Sequence, residues 1–315
     1  MSAPADAARE PARCGFVAVL GAPNAGKSTL VNRLVGAKVS IVTHKVQTTR
    51  TRIRGVAITG PVQIVFVDTP GIFAPRRRLD RAMVAAAWEG AAEADAIAVV
   101  VDAPRLAAKD GGGKSGEDTQ RIIEGLREAN LKAILVLNKI DAMKREDLLA
   151  LTERLFDPAV FTDNFMISAE QGDGVEDLLN HLAARMPEGP WLYPEDQAAD
   201  ITERLLAAEV TREKLFLRLH QELPYASTVE TESWQERKDG SIRIEQLIFV
   251  ERDSQKAIVL GKGGRTIREI GEAARKDMGQ MFGRKVHLFL HVKVREKWGD
   301  DPARYRGMGL EFPKG

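Results

Sequence analysis

Two glycines, one lysine and two hydroxyl side chains follow the apolar residues 14–20, in the stretch GAPNAGKST at residues 21–29. The pattern GxxxxGK[ST] between a strand and a helix is typical of a loop that binds phosphate through its backbone N–H groups. Lys27 would reach the β- and γ-phosphates, and Ser28 would offer its hydroxyl to Mg²⁺. The sequence therefore predicts a site for a nucleoside triphosphate or a related phosphorylated ligand. The predicted contact residues are Gly21, Ala22, Pro23, Asn24, Ala25, Gly26, Lys27, Ser28 and Thr29.

A second motif, DTPG, follows the apolar residues 62–67. An aspartate at the carboxyl end of a strand can complete a Mg²⁺ shell, and we predict this role for Asp68. Gly71 has no side chain, so its backbone N–H can approach a γ-phosphate closely. Alone the tetrapeptide would fit an ordinary turn, but after a phosphate-binding loop it indicates a nucleotide sensor. The residues predicted to contact nucleotide here are Asp68, Thr69, Pro70, Gly71 and Ile72.

The stretch NKID at residues 138–141 ends another apolar run. The Asp141 carboxylate can accept two N–H groups from guanine, and adenine lacks that pair of donors. Asn138 can tie the loop to the phosphate-binding loop, and the stem of Lys139 can lie along the base. A wrong base would leave buried polar groups unpaired, which gives steep selectivity for guanine. Farther along, Ser168 and Ala169 follow a strand pattern, and the Ala169 N–H is expected at the guanine O6.

Between the first two motifs lies the polar stretch QTTR at residues 47–50. A threonine there could complete Mg²⁺ coordination in the triphosphate state and release it afterwards, as order–disorder switches do. We predict that Thr49 has this role, with Thr48 as the alternative. The predicted metal ligands are thus Ser28, Thr49 and Asp68, and the residues predicted to act in hydrolysis are Lys27, Thr49 and Gly71.

Apolar runs alternate with amphipathic segments up to about residue 185, and this alternation predicts an α/β domain. Its mostly parallel sheet would be covered by helices on both faces. Three prolines in residues 186–200 break the alternation and predict a linker. The second half has the order α-β-β-α-α-β, with a hairpin at Asp239–Gly240. The predicted divisions are a tail at 1–13, a first domain at 14–185, a linker at 186–200, a second domain at 201–300 and a tail at 301–315.

The stretch IVLGKGGRTIREIG lies in the second half, within a basic region. Residues 256–297 hold 11 Lys and Arg against 4 Asp and Glu, although the whole chain has a net charge of only +1. Such a local excess indicates a polyanionic partner for this region. The glycines of the GKGG loop would let its backbone approach the phosphates of single-stranded RNA, and such loops clamp about four nucleotides. The predicted RNA-binding residues are Ile258, Val259, Gly261, Lys262, Gly263, Gly264, Arg265, Ile267 and Arg268, with the three aliphatic ones beneath the bases.

The remaining composition excludes several classes of protein. No run of residues approaches the roughly 18 apolar residues of a membrane-spanning helix. Residues 1–13 lack the apolar centre of a secretory signal. Cys14 is the one cysteine among 315 residues, which excludes an internal disulfide framework and favours a reducing compartment. We expect a cytoplasmic protein.

The phosphate-binding loop, QTTR, DTPG, NKID and SA, in that order, resemble the five elements of a translation-factor-class GTPase domain. The GKGG loop, the strand VHLFLHVKV and the ending KWGDD resemble a KH domain of the type II order. From about residue 15 to residue 301, the chain is similar to the Era family of ribosome-assembly GTPases. The fold that this resemblance implies is an α/β P-loop GTPase domain followed by an α+β type II KH domain.

The resemblance also implies an activity and partners. It implies slow, Mg²⁺-dependent hydrolysis of GTP to GDP, binding to the 3′ end of 16S rRNA, and a role in processing that RNA and maturing the 30S subunit. It further implies loose attachment at the inner face of the membrane, and we expect a monomer. Ile72 occupies the place where many GTPases have a water-orienting glutamine, so help from elsewhere is needed. One hypothesis is a potassium ion near the β–γ bridge, beside Asn24.

Two other functions fit parts of the sequence. A metabolic P-loop kinase would need a site for an acceptor substrate, and both NKID and the KH-like half argue against it. An RNA-binding chaperone regulated by nucleotide, in which hydrolysis is incidental, fits better because Ile72 cannot polarise water.

Overall fold

The computed structural model describes residues 11–43, 45, 48–220 and 222–313; residues 1–10 of the predicted tail and Gln47 of the QTTR stretch lie outside these ranges. The first half contains one seven-stranded sheet in the order β6-β5-β4-β1-β3-β2-β7. Its strands are β1 (Arg13–Leu20), β2 (Ile53–Thr59), β3 (Val62–Asp68), β4 (Ala96–Asp102), β5 (Ala133–Asn138), β6 (Phe161–Ile167) and β7 (Ala199–Asp200). Its helices are α1 (Lys27–Val35), α2 (Arg78–Ala92), α3 (Ala103–Ala107), α4 (Lys114–Glu128), α5 (Arg145–Leu155) and α6 (Val175–Ala183).

The sheet is buried on both faces, and the central strand β1 shows why the sequence requires this. Val17 and Val19 pack into one hydrophobic core, with α1 and α6. Ala18 and Leu20 point to the opposite core, with α2 and α4. Because successive side chains of a strand alternate between faces, an uninterrupted apolar run needs helices on both sides. The predicted α/β class with a mostly parallel sheet is confirmed; β2 is antiparallel to both of its neighbours.

The parallel strands set the place of the motifs. β1 pairs in parallel with β3 and β4, and β5 pairs in parallel with β4 and β6. Their carboxyl ends therefore meet at one edge of the sheet, where ligands bind in open α/β folds. The loops that leave this edge carry GAPNAGKS, DTPG, NKID and the Ser168–Ala169 pair.

The second half has the predicted α-β-β-α-α-β order, and the type II KH arrangement is confirmed. Its three-stranded sheet runs β10-β9-β8, with β10 parallel and β8 antiparallel to β9. Two helices, α7 and α9, pack on the same apolar face of this sheet. The elements are α7 (Glu203–Arg218), β8 (Ser227–Glu236), β9 (Ile242–Val250), α8 (Asp253–Leu260), α9 (Arg265–Met281), β10 (Val286–Val294) and α10 (Pro302–Gly307).

Helix α7 joins the two halves because it buries two different faces. Ala208 and Leu215 lie in the hydrophobic core of the second sheet. On another face Glu209, Arg212 and Glu213 are also buried, with at most 6% of each residue exposed. Glu213 accepts hydrogen bonds from the Lys38 Nζ (2.8 Å) and the Val42 backbone N–H (3.0 Å) of the first half. Buried polar groups need such partners, so this face of α7 is fixed against the first half.

Residues 186–200, which the sequence predicts to be a linker, lie along the first sheet. The Gln63 side chain of β3 accepts the N–H groups of Leu192 (2.8 Å) and Tyr193 (3.0 Å) and donates to the Tyr193 carbonyl (2.8 Å). β7 then pairs with β2. The segment connects the two halves while it is bound to the sheet, and the position of the domain boundary stays a prediction.

Residues near the end of the described chain pack against the first half. Tyr305 and Leu310 are buried against Phe73 and Met83, which lie just after DTPG and on α2. Within the predicted C-terminal tail, residues 301–315, these two apolar side chains cover α2, and the division of the chain at residue 301 stays a prediction. No helix in the described part of the chain is long and apolar enough to cross a lipid bilayer.

Candidate functional site: a nucleotide pocket and a glycine loop

The loop between β1 and α1 is held by its own lysine. Lys27 Nζ donates to the carbonyl oxygens of Gly21 (3.0 Å) and Ala22 (2.9 Å). Gly26 has a φ of 97°, and a Cβ there would lie 2.2 Å from Asn138 Nδ2, so only glycine fits. Burial lowers the pKa of Lys27 from 10.5 to about 8. A phosphate anion beside this ammonium group would favour its charged form.

Three oxygen-bearing side chains meet beside this lysine. Ser28 Oγ donates to Asp68 Oδ2 at 2.7 Å and lies 2.9 Å from Thr49 Oγ1. The second carboxylate oxygen of Asp68 is buried without a hydrogen-bond partner among the described residues. Burial raises the pKa of Asp68. Two hydroxyls and a carboxylate are ligands that Mg²⁺ prefers, and a cation here would satisfy the unpaired oxygen and stabilise the charged carboxylate. The cluster therefore fits magnesium.

Thr48 lies outside this cluster. Its hydroxyl donates to the Lys45 carbonyl at 2.6 Å and lies 2.6 Å from the Thr43 hydroxyl. Of the two threonines, Thr49 is the one that the structure places beside Ser28.

The DTPG loop touches the phosphate-binding loop through backbone atoms. A Cβ on Gly71 would lie 2.9 Å from the backbone nitrogen of Pro23, so the close approach of the two loops requires glycine. The Ile72 N–H donates to the Gly21 carbonyl at 3.1 Å. The Ile72 side chain is fully buried in the core with Leu20. The prediction that Ile72 contacts nucleotide is therefore corrected, because both its N–H and its side chain are engaged elsewhere.

Asn138 connects three of the motif loops. Its Nδ2 donates to the Ala25 carbonyl (2.9 Å), and its Oδ1 accepts the backbone N–H groups of Lys139 (2.8 Å) and Ala169 (3.0 Å). The sequence places the Ala169 N–H at the guanine O6, so in this structure the base would share that donor with Asn138. Asn138 is 2% exposed, and replacing it would leave buried groups unpaired.

The residues predicted to recognise the base lie in the loops that Asn138 connects. Lys139 has a φ of 67°, and its Nζ donates to the Asn24 carbonyl at 2.9 Å and to Asp102. Asp141 is exposed, in a single 3₁₀ turn at Ile140–Ala142. Ser168 is buried and accepts the Gln171 N–H at 3.1 Å, so its role is to shape the loop.

A cavity of about 550 Å³ opens between these loops. Its walls include the predicted residues Pro23, Asn24, Gly26, Lys27, Ser28, Thr29, Thr49, Gly71 and Lys139. Residues that the sequence did not single out also line it, namely Ile41, Val42, Thr43, Lys45 and Glu170. They belong to no motif. Four of them precede the QTTR stretch in the chain, and Glu170 directly follows Ser168 and Ala169. Ala22, Ala25, Asp68, Thr69 and Pro70 support the walls from behind, and Thr69 donates to the Val19 carbonyl (2.7 Å).

The second candidate site is the loop between α8 and α9. Gly261, Gly263 and Gly264 all have positive φ, between 62° and 75°. Lys262, Arg265 and Arg268, which the sequence predicts to contact RNA, are exposed around it. A loop with this geometry presents backbone and cationic side chains together, which suits a phosphate chain.

The aliphatic residues near this loop do not all reach its surface. Ile258 is 57% exposed and Ile267 is partly buried. Val259 is fully buried in the core of the second half, with Val250 and Ile270. The prediction that Val259 lies beneath RNA bases is wrong, because its side chain is buried in this core and has no exposed surface.

Comparison with known proteins agrees with both sites. Residues 16–139 match the family described as 50S ribosome-binding GTPase, and residues 222–299 match the KH domain family. The chain is 64% identical over 304 residues to GTPase Era of Rhizobium meliloti, covering 96% of this chain and 95% of that protein. GTPase Era of Caulobacter vibrioides is 61% identical over 306 residues, covering 95% and 97%. The chain belongs to the Era family of GTPases.

Solved structures of Era have the same fold throughout. One is a crystal structure of Era in complex with MgGDPNP and nucleotides 1506–1542 of 16S ribosomal RNA, with a TM-score of 0.85 and 36% identity, covering 95% of this chain and 99% of that one. Another is a variant of Aquifex aeolicus Era bound to GDP·AlF4⁻, with a TM-score of 0.86 and 35% identity, covering 94% and 99%. Both of these Era structures hold a guanine nucleotide, GDPNP with magnesium in the first and GDP·AlF4⁻ in the second.

Replacing Asn138 with alanine tests the connection between the motif loops. We expect Asn138→Ala to weaken GTP and GDP binding alike, by about tenfold or more, because each buried group left unpaired costs about 1–3 kcal/mol. Titration with fluorescent GTP and GDP analogues measures both affinities. Asn180→Ala, which removes an exposed amide on α6, should bind as the wild type does. Unchanged affinity in Asn138→Ala, or a weakening for one nucleotide alone, would contradict this role.

Proposed function

We propose that the site hydrolyses GTP with the residues that meet at the carboxyl edge of the first sheet. The cluster of Ser28, Thr49 and Asp68 beside Lys27 carries this proposal, because it joins a cation site to a phosphate-binding loop. When bound, Mg²⁺ neutralises charge on the phosphate oxygens. Lys27 and the backbone N–H groups of the loop bind the phosphates and stabilise the negative charge that develops as water attacks in line.

Selection of guanine falls to the loops after β5 and β6. Asp141, exposed beside the cavity wall formed by Lys139, is free in its geometry to accept two guanine N–H groups, as the sequence predicts. Asn138 holds this loop to the phosphate-binding loop, so base and phosphates are bound at a fixed separation. Such pre-organisation is what lets a correct base be favoured over a wrong one.

The side chain at position 72 does not orient the attacking water. Ile72 is buried in the core, so it neither polarises nor positions water. Turnover is therefore slow until another group assists. We propose a potassium ion beside Asn24 in this role. Exchanging potassium for sodium at constant ionic strength should lower the rate of phosphate release, and equal rates in the two salts would refute it.

We propose that the loop at residues 261–264 binds the 3′ end of 16S rRNA. The support is its three positive-φ glycines, flanked by exposed Lys262, Arg265 and Arg268, together with the likeness to an Era structure that contains nucleotides 1506–1542 of that RNA. The function that follows is rRNA processing and assembly of the 30S subunit. We also propose that the chain contacts the membrane peripherally.

Charge reversal at the loop tests the RNA assignment. We expect Lys262→Glu/Arg265→Glu to weaken binding of single-stranded RNA with the sequence 1506–1542 by at least about tenfold. The slope of log affinity against log salt should also fall by roughly 0.7 for each phosphate that the variant no longer neutralises. Fluorescence anisotropy at several salt concentrations measures both quantities.

A matched control makes the same charge change elsewhere. Arg237 and Lys238 are exposed in the turn between β8 and β9, so Arg237→Glu/Lys238→Glu should bind RNA nearly as the wild type does. Equal weakening in the two double variants would mean that RNA responds only to overall charge. Wild-type binding by the loop variant would remove the loop from the RNA site.

A further inference from the structure

The residues on both sides of Thr49 are held by the second half of the chain. Arg212 of α7 donates through Nη2 to the backbone carbonyl of Thr48. The same guanidinium donates through Nε to Glu209 Oε1 at 2.8 Å, so Glu209, one helical turn earlier, fixes its orientation. Arg212 is 1% exposed. A buried guanidinium with a fixed partner can bind the Thr48 carbonyl in only one position.

Arg50, on the other side, is inserted into the second half. Its Nη1 donates to the Ser227 carbonyl (2.9 Å), and its Nη2 donates to the carbonyls of Pro224 (3.3 Å) and Tyr225 (3.4 Å). The guanidinium carbon also lies 5.6 Å from the ring centroids of both Phe216 and Trp298. These contacts come from α7, from the start of β8 and from the 3₁₀ turn after β10.

Both arginine side chains that make these contacts are buried. Arg50 is 1% exposed, and burial lowers its pKa from 12.5 to about 9, with the nearby Arg212 charge adding to the effect. The guanidinium groups of Arg50 and Arg212 are thus both removed from water. The Glu209 carboxylate forms an ion pair with Arg212. Arg50 Nε and Arg212 Nη1 are buried without a hydrogen-bond partner among the described residues. Because desolvated charges are costly unless they are hydrogen-bonded, a displacement of residues 48–50 that broke one of the remaining bonds would add to that cost.

Thr49 is therefore fixed by its neighbours as well as by its own contacts. Consecutive Cα atoms are about 3.8 Å apart, so Thr49 cannot move far while Thr48 and Arg50 stay bound. In this position its hydroxyl lies 2.9 Å from Ser28 Oγ. The geometry of the candidate magnesium site thus depends on α7 and on β8, which belong to the half that carries the RNA-binding loop.

We propose that Arg212 and Arg50 are positioning residues for GTP hydrolysis, which hold Thr49 at the Ser28–Asp68 cluster from the second half of the chain. This inference rests on the proposed role of Thr49 as a ligand of Mg²⁺. Segments of this kind are ordered by the γ-phosphate and its Mg²⁺ and released on hydrolysis. Removal of the Arg212 side chain should thus weaken the GTP state and leave the GDP state unchanged. A purely structural role would affect both.

The test compares Arg212→Ala with Arg212→Lys in the full-length protein. We expect Arg212→Ala to weaken binding of a fluorescent GDPNP by about tenfold at limiting Mg²⁺, as removal of a charge-assisted hydrogen bond predicts, with GDP affinity within about twofold of wild type. The Mg²⁺ concentration for half-maximal hydrolysis should rise. Arg212→Lys should partly reverse both effects, because an ammonium group can still donate to the Thr48 carbonyl.

Two further variants separate the possible outcomes. Arg204→Ala removes another arginine of α7, whose bonds go to the carbonyls of Thr231 and Glu232 within the second half, and it should behave as wild type. Thr49→Ala should reproduce the higher Mg²⁺ requirement. If Thr49→Ala alone has that effect, the positioning role is refuted and the metal assignment stands. If Thr49→Ala has no effect, the metal assignment fails and the inference fails with it. Equal weakening of GDPNP and GDP in Arg212→Ala would also refute the inference.

Discussion

The Thr49 hydroxyl lies 2.9 Å from Ser28, and the residues before and after it are bound by the other half of the protein. This placement connects the nucleotide pocket of the first half to the half that carries the glycine loop. Ser28 and Asp68 are fixed by the edge of a sheet that is buried on both faces. Thr49 belongs to a loop without regular structure, and its position is set from outside the sheet. The geometry of this site therefore depends on both halves of the chain.

Helix α7 makes the connection possible because it is buried on a polar face as well as an apolar one. Ala208 and Leu215 anchor it in the KH core, while Glu209, Arg212 and Glu213 reach the first half. A second connection runs through the end of the chain, where Tyr305 and Leu310 cover α2 just after the DTPG loop. GTPases sense the γ-phosphate with two segments. The residues predicted to do so here, around Thr49 and in and after DTPG, both lie beside contacts to the C-terminal half. Coupling needs such physical contact between elements with two arrangements.

The sequence predicted the fold and the motif loops well, for identifiable reasons. The strands β3, β4 and β5 of the first sheet are mainly apolar runs that are buried on both faces. Glycines at 26 and 71 mark close approaches that the structure contains. In the KH half, the hairpin turn and the loop glycines set the element order. These signals are local in the chain, so a single sequence carries them.

The sequence did not predict what depends on distant contacts. Arg50 and Arg212 are 162 positions apart, and neither belongs to a pattern that pairs it with its partner. A signal was present in α7, where the charged residues 209, 212 and 213 share one helical face, but a charged face usually indicates exposure to solvent. Val259 and Ile72 were predicted to be site residues because their neighbours belong to motifs. Both side chains point into the core instead, and the sequence does not show the direction of a side chain. The burial of Tyr305 and Leu310 was also not predicted, because two apolar side chains in a short polar segment form no periodic pattern.

The most direct test of the coupling between the two halves is the affinity for RNA of the sequence 1506–1542, measured with Mg²⁺ and GDPNP and then with GDP. We expect tighter binding with GDPNP, because the Mg²⁺ of the triphosphate state, by our proposal, binds Thr49 and so favours the contacts of α7 with residues 48–50. By reciprocity, RNA must then tighten GDPNP binding by the same factor. Equal RNA affinities in the two nucleotide states would contradict the account, because the contacts around Thr49 would then hold the halves together without connecting their sites.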